Sequence, residues 1–150
     1  MQFVALGPDN EQARQQWIDA LTRVVDRNAY CLGPEVQAFE KQAAEFLNIE
    51  HVFGVSNGTD ALRLALGAVG VGAGDEVIVP AYSFFASASS IAHLGAKPVF
   101  VDVLPDTLTL DPAKIEAAIS DRTRAVMPVH LYGQGAHMDQ ITAICKKHKL

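Results

Sequence analysis

Apolar positions in the first third of the chain recur at helical spacing. Ala13, Trp17, Leu21, Val24 and Val25 fall on one face of a helix that Asp9 or Asn10 can cap, with Arg14, Arg23 and Asp26 on the other side. Asn28 to Gly33 interrupts the pattern. Pro34, suited to a first helical turn, then opens a second helix with Val36, Phe39, Ala43, Phe46 and Leu47 as its stripe and Glu35, Lys41 and Glu45 outside. After Asn48 the rhythm shortens to β-branched, apolar runs at His51–Val55, Glu76–Val79, Pro98–Val101 and Arg124–Met127. Each gap between them holds one helical stretch: Thr59–Ala68, Phe84–Leu94 and Pro112–Ile119, with Met138–His148 after the last. Parallel strands need crossovers of a dozen residues or more, and strands apolar throughout are buried on both faces. The pattern predicts an α/β fold, a mostly parallel sheet sandwiched by helices. The last helix should hand over to another strand beginning at Leu150, so the chain reads as the front part of a longer protein.

Composition narrows the function. Of 150 residues, 49% are hydrophobic, enough for a packed core, and 19% are charged. The net charge of −5 argues against a nucleic-acid partner, which draws a basic surface. Met1 to Pro8 is short, uncharged and unlike a signal peptide, and no apolar run is long enough to span a membrane. Cys31 and Cys145 form no disulfide or metal spacing, which points to a reducing cytoplasm. The five histidines show no HxxxH or CxxC companion, so no metal site is expected.

In parallel α/β sheets, ligands bind beyond the carboxyl ends of the strands. The first such loop is Ser56-Asn-Gly-Thr-Asp60. Gly58 can take a positive φ there and admit a ligand to the backbone. The amides of Gly58, Thr59 and Asp60, with the Thr59 hydroxyl, then make a phosphate cradle at a helix N-terminus; a capped turn without a ligand fits the spacing equally well. Gly54-Val-Ser-Asn-Gly58 also fits the G-x-S-x-G nucleophile elbow of serine hydrolases, with Ser56 as nucleophile and Asp102 and His130 following in order, although only helices precede it. Gly70-Val-Gly-Ala-Gly74 follows a helix and precedes a strand, the wrong order for a dinucleotide loop. Tyr82-Ser-Phe-Phe85 puts aromatics where a planar cofactor could lie, although composition alone favours the core for Phe84 and Phe85. Asp102 and His130 read more simply as a turn cap and a locally bonded histidine. Ala61–Ala68 is apolar all round except Arg63, so a second subunit or further chain should cover its outer side.

These residues, taken in order, resemble the DegT/StrS family of pyridoxal-phosphate (PLP) sugar aminotransferases. The likeness is carried by Leu32-Gly-Pro-Glu35, Phe39-Glu40, Ser56-Asn-Gly-Thr-Asp-Ala-Leu62 and Gly74-Asp-Glu-Val-Ile-Val-Pro80. It continues through Tyr82-Ser-Phe84, Gly95-Ala-Lys-Pro98, Val101-Asp102, Asp111-Pro112 and Pro128-Val-His-Leu-Tyr-Gly133. The resemblance implies residues 1–30 as an N-terminal helical arm and 31–150 as the first part of a fold-type-I PLP-binding large domain. It implies a homodimer, Gly58 and Thr59 on the cofactor phosphate, Phe84 against the pyridine ring, and Leu32–Pro34 near the substrate. Ser83 stands where Thr is commoner and keeps the hydroxyl. The implied reaction passes an amino group from glutamate or glutamine, through the cofactor, to a keto group on a nucleotide-linked sugar. The family's Schiff-base lysine and pyridine-nitrogen aspartate belong to segments beyond Leu150. Lys41, Lys97, Lys114, Lys146, Lys147 and Lys149 do not match the lysine's position, so the chain carries no assigned catalytic residue and is expected to be inactive alone. A non-catalytic binding or regulatory module that keeps the fold is the alternative.

Overall fold

A computed structural model of the protein describes residues 7–150. The reading of Met1 to Pro8, and the start of the 1–30 arm, fall largely outside the described residues. The chain divides into two compact units, one ending at Gly54 and the other spanning Val55–Leu150.

The first unit holds α1 (Glu11–Asp26) and α2 (Pro34–Leu47). Asn10, not Asp9, caps α1, its side chain accepting from the Ala13 amide at 2.9 Å. Pro34 opens α2 as expected, and Asn48 closes it in the left-handed region at φ 52°. A side chain at Gly33 would stand 2.5 Å from the Ala29 carbonyl oxygen, which explains the glycine before Pro34. Neither helix contains a fully buried residue; Trp17, Leu21, Phe39 and Phe46 keep more than half of their surface exposed.

The predicted strand at His51–Val55 does not form. A strand exists through its neighbour's hydrogen bonds, and no strand of the described residues pairs with this segment. The Gly54 amide instead donates to the Glu40 carboxylate at 2.8 Å, and Phe53 is exposed.

The second unit runs α3 (Gly58–Ala68), β1 (Glu76–Pro80), α4 (Phe85–Ala92), β2 (Lys97–Val101), α5 (Pro112–Ala118), β3 (Thr123–Val126) and α6 (Met138–His148). The three strands form a parallel sheet ordered β2-β1-β3. Only the central strand, β1, is buried along its whole length; β2 and β3 are each partly open because nothing in the described chain pairs with their outer edges. Alternation along β1 splits the core. Val77 and Val79 pack with Leu66 of α3, Ile91 of α4 and Met127, whereas Ile78 packs with Leu110, Ile115 of α5 and Ile141 of α6. The sheet is therefore sandwiched by helices, as the apolar runs required. Gly95, at φ 75°, turns the chain between α4 and β2 so tightly that an added Cβ would lie 3.1 Å from the Ala73 Cβ.

The amino ends of the strands are tied by charge. Glu76, almost fully buried, accepts from Ser120 Oγ at 2.6 Å and Arg122 at 2.7 Å, with Lys97 Nζ at 3.4 Å. The Ser120 hydrogen bond first, then Arg122 and Lys97, hold its carboxyl below the usual range against the opposing effect of burial.

Candidate functional site

The loops that follow β1, β2 and β3, at the opposite, carboxyl end of the sheet, carry Phe84, Asp102 and His130, and the Ser56–Asp60 segment leads into α3. Asn57, extended at φ −166°, caps α3, and its side-chain oxygen accepts from the Asp60 amide at 2.9 Å. The cap consumes one of the three amides expected to meet a ligand. The N–H groups of Gly58 and Thr59 remain without an acceptor among the described residues, at the positive end of an eleven-residue helix. Gly58 does not take a positive φ; it is the first helical residue. Its value lies elsewhere: Gly58 is exposed and a Cβ placed there meets nothing within 4 Å, so a group can approach the helix start beside it. A phosphate fits this donor set, which offers two adjacent N–H groups, the Thr59 hydroxyl and a helix dipole of favourable sign.

Asp60 sits beside the cradle but is fully engaged. Ser56 Oγ donates to its carboxylate in a short hydrogen bond, Asn57 Nδ2 lies 3.2 Å away, and Arg63 pairs with the other oxygen at 3.0 Å. The Ser56 bond and then the Arg63 charge, with lesser help from Asn57 and His93, outweigh burial and keep the carboxyl below its ordinary range. Arg63 thus offsets the negative charge that would otherwise oppose an anion at Gly58 and Thr59.

This geometry removes the hydrolase reading. A nucleophilic serine needs a base strong enough to take its proton, whereas Ser56 donates a hydrogen bond to Asp60, whose lowered carboxyl makes it a weak base. Asp102 is bound to Lys114 Nζ at 3.0 Å and to the Val103 amide at 2.9 Å, while His130 Nδ1 accepts from the Ala136 amide at 3.0 Å. The three residues form no triad, and the segment before Ser56 is not a strand. Asp102 and His130 have the local roles that the plainer reading gave them.

Phe84 and Phe85 are not core residues. They are 76% and 78% exposed where β1 gives way to α4, because Ala86, Ser87, Ser90 and Ile91 supply that helix's buried face. Phe84 occupies the N-cap position without a side-chain cap bond, leaving its ring free for a planar ligand. Ser83 Oγ is bound to Ser87 Oγ at 2.9 Å. Leu32, in the first unit, is exposed and left-handed at φ 48°. Four lysines are committed to carboxylates: Lys41 to Glu45, Lys97 to Glu76, Lys114 to Asp102, and Lys147 to Glu116.

Sequence reasoning missed the Asn57 cap, although Asn immediately before a helical run is its usual signature. It also missed the contact between the Tyr82 and Tyr132 hydroxyls, 3.2 Å apart across fifty residues of chain, for which no local signal exists.

Known proteins match the chain along most of its length. A Pseudomonas aeruginosa UDP-2-acetamido-2-deoxy-3-oxo-D-glucuronate aminotransferase is 49% identical over 141 residues, covering 93% of this chain and 39% of that protein. A Geobacillus stearothermophilus protein named pleiotropic regulatory protein is 47% identical over 145 residues, covering 97% and 39%. Streptomyces venezuelae DesV, solved with a ketimine intermediate, superposes with a TM-score of 0.90 at 45% identity, covering 93% of this chain and 38% of DesV. The chain thus spans about 39% of the length of these curated relatives. The profile of the DegT/DnrJ/EryC1/StrS aminotransferase family matches residues 11–150, and the chain belongs to that family.

Proposed function

We propose that the complete protein is a PLP-dependent aminotransferase that moves an amino group from glutamate or glutamine to a keto group of a nucleotide-linked sugar. In this reading residues 1–30 are a helical arm and residues 31–150 supply one side of the cofactor site. The observation that carries the proposal is the pair of Gly58 and Thr59 amides, which have no acceptor among the described residues, at the exposed start of α3. Gly58 and Thr59 bind the cofactor's phosphate, Thr59 adding its hydroxyl. Asn57 holds the helix terminus rigid, and Arg63 keeps Asp60 from repelling the anion. Phe84 covers one face of the pyridine ring and shields it from water. When bound, the cofactor acts as the electron sink for the carbon that gains or loses the amine. Proton transfer at that carbon falls to a lysine outside these residues.

A homodimer fits the outer side of α3, where Leu64 is 54% exposed on a helix with almost no charge to solvate. Two free cysteines, Cys31 and Cys145, suit a reducing cytoplasm. The name of the Geobacillus relative keeps a second reading in play, a regulatory module with the same fold and no turnover.

Crystals of the complete polypeptide grown with PLP test the first reading. Phosphate oxygens within hydrogen-bond reach of the Gly58 and Thr59 amides support it, and phosphate bound elsewhere refutes it. Cofactor binding without amino transfer from glutamate to UDP-, dTDP- or GDP-linked keto sugars favours the module.

A further inference from the structure

Tyr82 and Tyr132 stand out among groups that the cofactor site does not use. They follow neighbouring strands, β1 and β3, at the carboxyl end of the sheet, and Tyr82 is two residues from Phe84. Both rings are exposed, Tyr82 by 49% and Tyr132 by 77%, yet their hydroxyls meet at 3.2 Å. Tyr132 also has a left-handed backbone, φ 55° and ψ 24°, which a bulky residue adopts only against steric resistance. The Gly133 that follows is at φ 79° and would tolerate the turn freely. Among the described residues, no packing accounts for an aromatic residue held in that conformation with its ring exposed.

We propose that Tyr132 is a sugar-contacting residue of the aminotransferase and that Tyr82 is its positioning partner. The inference rests on the function proposed above. In the pair, one phenol donates to the other, so one hydroxyl hydrogen remains free for a substrate oxygen. The exposed Tyr132 ring presents a flat apolar face to the C–H side of a sugar ring, and its hydroxyl meets the polar edge. Tyr82 fixes the direction of that hydroxyl and ties the 131–133 turn to the loop carrying Phe84. The pair thereby sets the position of the sugar relative to the cofactor face. The hydrogen bond with Tyr82 also raises the Tyr132 phenol above its ordinary value, so it stays protonated further into the alkaline range.

The test uses the complete polypeptide with bound cofactor. UDP-, dTDP- and GDP-linked amino sugars are titrated calorimetrically into wild type, Tyr132→Phe, Tyr82→Phe and the double variant. Each substitution removes one exposed oxygen and should leave the melting temperature and cofactor absorbance unchanged. The dissociation constant of the sugar that wild type binds should rise about 3- to 10-fold in each single variant. Because the two hydroxyls act as a unit, the double variant should be no weaker than the worse single. In turnover, KM for the sugar should rise while KM for the amino donor stays fixed. Unchanged sugar affinity in both single variants, or strictly multiplicative losses in the double, overturns the pair while leaving the cofactor assignment standing. Failure of wild type to bind any of the nucleotide sugars overturns the sugar-aminotransferase reading and this inference with it.

Discussion

Replacing Phe84 by Ala separates cofactor binding from folding, because the ring is 76% exposed and contributes little to the core. Truncating an exposed side chain away from special contacts changes stability by no more than about 0.5 kcal/mol, so the melting curve should barely move. The loss on binding is larger. If one ring face covers about 70 Å² of the pyridine at about 25 cal/mol per Å², burial contributes close to 2 kcal/mol. The specific geometry of stacked rings adds about 1 kcal/mol. Alanine substitution at positions that stack on nucleic-acid bases costs about 1–3 kcal/mol, the same range. Phe84→Ala should therefore weaken the cofactor about 5- to 150-fold, and Phe84→Trp should largely retain it. The assay should titrate the complete apo-polypeptide with pyridoxamine phosphate, which cannot bond covalently to a lysine and so reports the non-covalent contacts alone. Affinity within two-fold of wild type, at unchanged stability, would remove Phe84 from the site and refute the reasoning.

Two predictions concern the sheet that positions the site. Ile78 is fully buried in the central strand, so Ile78→Ala should destabilise the complete protein by about 2–5 kcal/mol, read as a lower urea midpoint; a loss below about 1 kcal/mol would mean that this half of the core is loosely packed. Glu76 is held below its ordinary range by Ser120, Arg122 and Lys97. Its stabilising effect is therefore complete above the unfolded value of about 4.3 and is lost as pH falls through the lower folded value. The urea midpoint should drop over that acidic window, and Glu76→Gln should show a shallower fall. Identical pH slopes in the two proteins would show that Glu76 does not link the strand ends.

The helices were legible because their signals are local. Apolar stripes, Asn10 before α1, and the prolines opening α2 and α5 all act within one or two turns of chain. The spacing of apolar runs was enough for a parallel sheet covered on both faces, and the run at Glu76–Val79 was correctly read as doubly buried. The motif order around Ser56–Leu62 and Pro128–Gly133 carries the family resemblance in the sequence alone. Composition was a poor guide to the aromatics, however. Hydrophobicity says that Phe84 and Phe85 gain by burial, but the start of α4 had smaller residues facing inward.

Pairing and distance belong to the tertiary structure alone. His51–Val55 has the composition of a strand, but a strand is completed by a neighbour's backbone, and the amide of Gly54 found the Glu40 carboxylate instead. Ser56, Asp102 and His130 had an order compatible with a hydrolase; their separate partners, Asp60, Lys114 and Ala136, decided otherwise. Glu76 met Ser120 and Arg122, and Tyr82 met Tyr132, across more than forty residues. Local propensity acts over a few residues, whereas these contacts depend on which strands lie side by side, so only the folded chain could specify them.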